Sequence, residues 1–519
     1  MRNLDAWAFK PRGERRLLYT SDPSNLAVYT AGRHPSQSLD PVLLDGDPCR
    51  PEDLESWVDE LAHAGVDAYA QAVFSQGWTL FFRSENFEYD SRPQHRRFLS
   101  MLESGPAPLE VLIERTHNQG MEFIAKFRMS DTHGGGKQGA RFVLENKQWW
   151  IPEQPGALDY SVEEVRQFTF AAADEIVARF DVDGLLFNYI RFGHVFPRDL
   201  AAERSPLLTA FMRRVRQMLD RRGKDKQKPL TLGAMVPQTL EECLALGYDI
   251  PEWTRQGLVD YVCPCDIGYA DFNAPYEEFS ELTRPTACLL YPMLVPSLCR
   301  EDQMNLLRPE NYHALAQNFY GAGADGCCIF NYQYHWARKG GIATYPGPVE
   351  GLQSGLNYLR GLDDPQEISR QVRHFRFHPL WGGPSRTGFE KNDRLTLIRR
   401  TAASGSYRFR LCGPMTEGER ASLYFTAQGL VPADEIQVQL NGTSIPNLKR
   451  SFHPEGRLPQ FGRTLPPFST GFFDLEGKWL TGRDNYLDVT LVKSAPGESG
   501  EIVIDEVEVI VVPSLRSKN

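Results

Sequence analysis

The sequence lacks any apolar run that approaches the roughly 20 residues needed to cross a bilayer. Its amino terminus, MRNLDAWAFKPRGERR, also lacks the apolar core of a secretory signal peptide. The first absence excludes a chain that spans the membrane through helices. Together the two absences predict a cytoplasmic protein with no membrane partner.

Basic charge and cysteine are also scarce. The 57 Lys and Arg residues are outnumbered by 67 Asp and Glu, so the net charge is −10, and no basic stripe offers a surface for nucleic acid. The nine cysteines are an odd number, and several stand beside apolar runs, which favours free thiols over disulfides. Because no cysteine pairs show zinc spacing, the sequence predicts neither a metal nor a cofactor.

The chain is otherwise of ordinary globular composition. Its 519 residues are 41% hydrophobic and 24% charged, which is typical of a folded, water-facing protein. A chain of this length exceeds what one hydrophobic core usually supports. The length therefore predicts two or three domains.

An aspartate recurs where a helix-like segment gives way to an apolar run. The four positions are Asp67, Asp183, Asp260 and Asp325. This recurrence is typical of repeated strand and helix units with short connections at one end of a parallel sheet. We expect these carboxylates to bind backbone amides of the turns and to have a structural role.

Eight apolar segments alternate with helical patterns over the first 360 or so residues. They lie at residues 17–30, 67–74, 122–129, 185–187, 230–237, 259–265, 286–294 and 327–330. Such alternation predicts an α/β fold, a (β/α)₈ TIM barrel. We assign residues 1–363 to this barrel as the expected catalytic domain.

The character of the chain changes beyond the barrel. From about residue 393, β-rich runs are separated by Gly, Pro and Asn turns, which predicts an antiparallel β-sandwich of jelly-roll type. We therefore assign residues 364–392 to a linker packed on the barrel and residues 393–519 to an accessory sandwich domain.

The densest polar cluster follows the predicted fourth strand, in the stretch FDVDGLLFNYIRFGHV at residues 180–195. Asn188, Tyr189, Arg191 and His194 all come after its short apolar run. Active sites of barrels lie at the carboxyl ends of the strands, so these side chains are candidates for substrate binding. A core strand with a polar loop after it is the alternative.

Polar or aromatic residues also stand within or just after the other predicted strands. The candidates are Gln71, Arg128, Asp131, His133, Gln238, Asp266, Tyr291, Asn331, Tyr332 and His335. The tyrosines offer flat faces for sugar stacking, although packing explains each of them equally well.

The order of these segments resembles the glycosyl hydrolase-like family 10 proteins, a group of bacterial (β/α)₈ barrels. The likeness covers about residues 17–360 and rests on five stretches. They are residues 54–71, residues 108–127, residues 165–180 leading into VDGLLFNYIRF, GLVDYVCPCD at 257–266, and GADGCCIFNY at 323–332. The resemblance implies a glycoside hydrolase that acts on an oligosaccharide. The sandwich resembles the accessory β-domains of such proteins only in its general pattern.

Cleavage of a glycosidic bond commonly needs two facing carboxyl groups. We expect Asp266 to be the general acid and Asp131 to be the base or second carboxylate, with loop capping as the structural alternative for each. Relatives usually carry aspartate where this chain has Asn188, and a carboxamide cannot act as a charge. Asn188 would then hydrogen-bond a substrate hydroxyl.

Three hypotheses follow from this pattern. The first is hydrolysis of an oligosaccharide, and the second is carbohydrate binding without catalysis, which the replacement at Asn188 motivates. A protein in which Asn188 was introduced to trap a substrate is a further reading. The third hypothesis is a lyase acting on uronic sugars, for which Arg128, Arg191 and His194 would serve. The sequence names neither the sugar nor the oligomeric state.

Overall fold

The computed structural model describes residues 16–29, 48–132, 139–191, 193–266, 270–295, 307–330, 359–377, 394–400, 402–413, 418–458, 463–464, 466–476 and 479–513. The chain forms two compact units. The first contains the described residues of Met1–Ile267, Pro275–Pro296 and Gly323–Asp363, and the second contains those of Gly268–Ala274, Ser297–Ala322 and Asp364–Asn519.

The first unit is built on one parallel sheet. Its strands are β1 (Leu17–Ser21), β2 (Ala68–Phe74), β3 (Glu122–Arg128), β6 (Gly184–Asn188), β7 (Thr231–Val236), β8 (Tyr261–Pro264), β9 (Leu289–Leu290), β10 (Met293–Leu294) and β11 (Cys327–Phe330). A short hairpin, β4 (Trp150–Ile151) with β5 (Gln154–Leu158), lies in the connection from β3 to β6 and escaped the sequence analysis.

The sheet closes on itself. Its strand order begins at β10 and ends at β9, and these two segments belong to one stretch of chain interrupted only by Tyr291 and Pro292. β9 pairs with β8, while β10 pairs with β11, so this stretch joins both edges of the sheet. The result is a (β/α)₈ barrel, as the sequence predicts, with all eight expected strand positions occupied.

Helices connect these strands. They are α1 (Pro23–Tyr29), α2 (Pro51–His63), α3 (Leu99–Ser104), α4 (Pro108–Asn118), α5 (Arg141–Glu145), α6 (Glu163–Arg179), α7 (Ala201–Asp225), α8 (Leu240–Ala245), α9 (Ile250–Arg255) and α10 (Glu277–Thr283). α6 starts without a side-chain cap. Its cap is Val162, which offers no side-chain acceptor, and the Ser161 hydroxyl instead accepts a hydrogen bond from Arg204.

The four recurring aspartates hold the bottom of the barrel together. Each accepts a hydrogen bond from a backbone N–H of an adjacent strand. The pairs are Leu17 N with Asp67 at 2.9 Å, Phe123 N with Asp183 at 2.7 Å, Leu232 N with Asp260 at 2.7 Å, and Leu290 N with Asp325 at 3.0 Å. Their structural role is thus confirmed, and the backbone amides that they bind here belong to adjacent strands, whereas the sequence led us to expect amides of the turns.

The second unit contains two antiparallel sheets. One consists of β12 (Arg373–Phe377), β13 (Leu395–Ile398), β15 (Arg420–Gln428), β18 (Lys449–His453), β21 (Phe468–Glu476) and β23 (Glu501–Val512). The other consists of β14 (Ala403–Arg410), β16 (Glu435–Leu440), β17 (Thr443–Ser444) and β22 (Asp484–Lys493), and β19 (Arg457–Leu458) with β20 (Arg463–Thr464) forms a hairpin. The predicted antiparallel β domain is therefore present.

Two segments that the sequence assigns elsewhere belong to this second unit. Strand β12 lies within the expected linker at residues 364–392 and pairs with β23, and α12 (Pro365–Ser369) precedes it. Helix α11 (Pro309–Gly321), predicted as a barrel helix, bonds to the same unit. Its Asn318 side chain accepts from Cys412 N at 2.8 Å and donates to the Arg410 carbonyl at 3.1 Å.

Two expectations about the whole chain can be compared with the described residues. Every cysteine among them is a free, buried thiol, in agreement with the sequence analysis. Within the same ranges, no helix has both the length and the apolar character that a bilayer crossing requires.

Candidate functional site

The barrel strands present alternate side chains to the interior and to the surrounding helices. Tyr189, directly after β6, contacts Met212 of α7 and the rings of Tyr248 and Trp253, so odd-numbered residues there face the helices. The even-numbered neighbour Asn188 therefore faces the interior. Through the register of the sheet it shares this inner face with Arg128 and Met235.

Small residues on the inner face of β2 create space near the carboxyl end of the barrel. Ala70 and Ala72 stand between β1 and β3, and their methyl groups leave the two long cationic side chains of β3 room to reach across. Lys126 Nζ lies 3.1 Å from Asp22 Oδ1, just beyond β1, and Arg128 forms a second ion pair with the same carboxylate.

The ion pairs continue from Arg128 to a second carboxylate. Arg128 Nη1 donates to Asp131 Oδ2 at 2.6 Å, which completes a chain in the order Lys126, Asp22, Arg128 and Asp131. The exposed fraction of each of these side chains is at most 4%. We call these four residues the ion chain, and its two cations and two anions balance.

Burial and pairing have opposite effects on the two cations. Burial lowers the pKa of Lys126 to about 8, although Asp22 counteracts part of this shift. Burial also acts to lower the pKa of Arg128, but the carboxylates of Asp22 and Asp131 outweigh it and raise that pKa above its usual value. Lys126 is thus the member of the ion chain that can lose its charge near neutral pH.

Asn188 is fully buried and is held in one orientation. Its Oδ1 accepts hydrogen bonds from the backbone N–H groups of Ile190 and Arg191, both at 3.1 Å. Its Nδ2 has no hydrogen-bond partner among the residues that the structure describes. The carboxamide therefore points a donor in a fixed direction on the inner side of the barrel.

Gln238 and Asp266 follow the carboxyl ends of the neighbouring strands β7 and β8. Val236 is in register with Pro264, and both candidates follow these positions by two residues. The Cys265 N–H bonds to the Val236 carbonyl at 2.9 Å, which extends the pairing toward them. Both side chains are buried, and across the described ranges neither amide atom of Gln238 finds a partner.

The two remaining polar candidates after β6 differ in their surroundings. His194 is buried, and burial, followed by the nearby charge of Arg198, lowers its pKa, so its imidazole is neutral at pH 7. Its Nδ1 lacks a partner within the described part of the chain. Arg191 is half-buried and is already engaged within the protein.

Two predicted site residues lie on the other side of the sheet. Gln71 Oε1 accepts hydrogen bonds from Ser21 at 2.6 Å and from Tyr69 at 2.5 Å, and the Tyr69 ring packs against Trp57 of α2. Tyr189 likewise faces the helices, as described above. The structure therefore does not bring either residue together with Asn188, and the Tyr189 ring is not a platform for sugar stacking.

Tyr291 also lies away from the carboxyl ends of the strands. Its ring centroid is 5.6 Å from that of Tyr261, which opens β8, and its edge approaches Gly326, which precedes β11. These contacts place the ring at the amino-terminal end of the barrel. The candidates His133, Asn331, Tyr332 and His335 lie outside the described residues.

The sequence analysis missed Asp22, Lys126 and Thr20. A signal for Lys126 existed, because Lys126 and Arg128 are two cations at alternate positions near the end of a strand whose middle is apolar. Asp22 could be read only as part of a turn. Thr20 faces the interior from β1, and in the described structure its buried hydroxyl has no hydrogen-bond partner.

Throughout the described ranges, no three His, Cys, Asp or Glu side chains are grouped in a way that could hold a metal ion. What the site offers instead is a charge-balanced ion chain beside buried amide groups.

Comparisons with known proteins add little to this picture. No protein-family model and no curated protein matches the chain. Solved structures that resemble it include glycoside hydrolases.

Three of them show the range of this resemblance. A noncanonic maltogenic α-amylase from Thermotoga neapolitana is 12% identical with a TM-score of 0.39, and the match covers 92% of this chain and 99% of that one. An α-L-fucosidase from Bacteroides thetaiotaomicron is 10% identical with a TM-score of 0.41, covering 99% and 98%. The glycoside hydrolase domain of PgaB from Bordetella bronchiseptica is 12% identical with a TM-score of 0.39, covering 66% and 99%. Similarity this distant assigns no activity.

Proposed function

We propose that the barrel unit binds a carbohydrate at the carboxyl ends of its strands and hydrolyses a glycosidic bond there. The observation that carries this proposal is the buried Asn188 carboxamide on the inner face of the barrel, whose Nδ2 has no partner among the described residues and would be satisfied by a sugar hydroxyl. The sequence resemblance to glycosyl hydrolase-like family 10 supports the same reading.

Asp266 is the proposed general acid. It follows β8, and it donates its proton to the glycosidic oxygen as the bond to the anomeric carbon breaks. Water adds to that carbon, and its proton passes to a carboxylate. Asp131 is the proposed second carboxylate, because its ion pair with Arg128 favours the ionised form that a base needs.

A specific observation keeps binding without catalysis as the second candidate. The Asp131 side chain is fully buried and is neutralised by Arg128, and the carboxylate expected at position 188 is a carboxamide here. These features suit a site that recognises sugar hydroxyls without cleaving the bond between sugars. A lyase gains less support, because both terminal nitrogens of Arg128 are already paired with carboxylates.

Product analysis separates the two candidates. The protein is incubated with a panel of oligosaccharides, and the products are identified by mass spectrometry. Asp266→Asn should abolish the formation of shorter sugars, whereas Glu281→Gln, the same chemical change at an exposed position of α10, should leave it intact.

The outcomes are distinct. Equal cleavage by the parent and by Asp266→Asn would show that Asp266 is not the acid. Saturable binding of a sugar by calorimetry, with no product from any form of the protein, would favour the non-catalytic candidate.

A further inference from the structure

Ser75 carries a buried hydroxyl group that the protein leaves unused. It directly follows β2, its side chain is fully buried, and its Oγ has no hydrogen-bond partner within the described residues. Such hydroxyl groups are uncommon in folded proteins, because a buried polar atom that loses water without gaining another partner weakens the fold. Ser21, the last residue of β1, shows the usual situation, since its buried hydroxyl donates to Gln71 Oε1 at 2.6 Å.

Ser75 faces the interior of the barrel. A register shift near the end of β2 brings Phe74 opposite Phe127 of β3, and their rings stack with centroids 5.3 Å apart. Phe74 also contacts Phe168 of α6, so both rings lie on the side of the sheet that faces the helices. Successive residues of an extended chain point to opposite faces. Ser75, whose φ is −138°, therefore points inward, as Arg128 does after Phe127.

Ser75 and Asn188 stand on either side of Arg128. Ser75 comes level with Arg128 because the residues before them are in register, and Arg128 is in register with Asn188 of β6. Neighbouring strands are about 4.8 Å apart, so the backbones of Ser75 and Asn188 are separated by about 10 Å across β3. Both side chains point inward, which shortens the gap between their polar atoms. This spacing suits the hydroxyl groups of one sugar residue.

The turn after Ser75 has a backbone conformation that side chains disfavour. Trp78 has a φ of 65°, in the left-handed region that bulky residues rarely adopt, and Gly77 before it has a φ of 68°. The Gly77 carbonyl accepts a hydrogen bond from Ala140 N at 2.8 Å, which fixes the turn in place. Conformations of this kind are concentrated at functional sites. The turn therefore supports a role for Ser75 in binding.

We propose that Ser75 hydrogen-bonds a hydroxyl group of the same sugar residue that accepts from Asn188, and that its unpaired hydroxyl makes the free protein less stable. A serine hydroxyl both donates and accepts, whereas Asn188 only donates, because its Oδ1 is bound by Ile190 N and Arg191 N. Sugar hydroxyls satisfy both residues. This inference rests on the proposed carbohydrate site and adds a residue that determines specificity.

The first test measures stability and needs no ligand. Ser75→Ala removes a hydroxyl without a partner, so the urea midpoint of the full chain should stay the same or rise. Ser21→Ala is the matched control, because it removes a buried hydroxyl that is paired, and its midpoint should fall. A fall in the midpoint of Ser75→Ala would show that its hydroxyl is already bonded, to the protein or to a trapped water, and would overturn the inference.

The second test measures sugar binding. The methyl glycosides of glucose, galactose, mannose and N-acetylglucosamine are titrated into the full chain and followed by ligand-observed NMR. At least one should bind the parent, and Ser75→Ala should bind that glycoside about fivefold more weakly, as expected for the loss of one hydrogen bond. Ser21→Ala, whose hydroxyl lies on the helix-facing side of the sheet, should bind it with the affinity of the parent.

Monodeoxy forms of the bound glycoside identify the contact. Removal of one hydroxyl should weaken binding to the parent but have little further effect in Ser75→Ala, because both changes remove the same hydrogen bond. Unchanged affinity of Ser75→Ala, or losses that add at every position of the sugar, would overturn the inference and leave the carbohydrate site standing. If none of the glycosides binds at millimolar concentrations, the carbohydrate site and this inference fail together.

Discussion

The ion chain predicts an unusual dependence of stability on alkaline pH. Lys126 is fully buried and its pKa is lowered from the usual 10.5 to about 8. Between these two pH values the unfolded chain holds a proton on Lys126 that the folded chain has released. Since the unfolded state binds more protons there, the contribution of Lys126 to the free energy of unfolding rises with pH across this window.

The size of this contribution follows from the shift. A pKa lowered from 10.5 to about 8 corresponds to roughly 3 kcal/mol, fully present above pH 10.5 and lost as pH falls through about 8. Lys126→Met keeps a long side chain in the same space but cannot titrate. The difference between parent and variant therefore separates the contribution of Lys126 from those of the buried tyrosines and thiols, whose pKa values burial raises.

The measurement is urea-induced unfolding at several pH values between 8 and 10.5, followed by tryptophan fluorescence, to which the buried Trp57 and Trp253 of the barrel unit contribute. From the lowest to the highest pH of this series, the free energy of unfolding of the parent should rise relative to that of Lys126→Met by roughly 3 kcal/mol.

Lys228→Met provides a control, because the contribution of Lys228 to stability changes with pH in the opposite direction. Burial acts to lower the pKa of Lys228, but Asp181 and Asp183 outweigh it and raise that pKa. The stabilisation from Lys228 is therefore present at low pH and is lost as pH rises through its raised pKa. If the difference in the free energy of unfolding between the parent and Lys126→Met does not change with pH, the reasoning is refuted, because Lys126 would then titrate as if it were exposed.

Two further predictions concern residues outside the ion chain. Tyr189→Phe should leave sugar binding and turnover unchanged and cost no more than about 1 kcal/mol in urea unfolding, because within the described residues the hydroxyl donates to the Met212 sulfur, a weak acceptor. A large loss of binding would mean that the ring meets the ligand. Asp434→Asn should destabilise the second unit by about 3 kcal/mol at pH 7, because Arg399 loses its buried partner. Burial acts to raise the pKa of Asp434, but hydrogen bonds from Arg399 and two backbone amides lower it. The difference in the free energy of unfolding between the parent and Asp434→Asn should therefore vanish only as pH falls below 3.8. If calorimetry shows that this difference does not change in acid, the pairing is contradicted.

Local patterns of the sequence were sufficient to locate the elements of the barrel. Each barrel strand is a short apolar run. The recurring aspartates mark where strands begin, because a turn that binds the amides of an adjacent strand needs a short side chain that accepts hydrogen bonds. These signals involve residues close together in the chain.

The sequence could not assign the two faces of the barrel strands. β2, β3 and β6 are buried on both faces, so they lack the alternation of apolar and polar residues that tells inside from outside. As a result Gln71 and Tyr189 were expected at the site, whereas the register turns both toward the helices.

The sequence by itself determined where the strands of the barrel lie and that the recurring aspartates have a structural role. Only the tertiary structure decided which side chains meet at the carboxyl ends. Asp22 and Lys126 are separated by 104 positions in the chain, and they pair because the alanines of β2 leave space between β1 and β3. Such a contact depends on the register of three strands and on the size of the residues that lie between the two partners. A local sequence pattern contains neither piece of information.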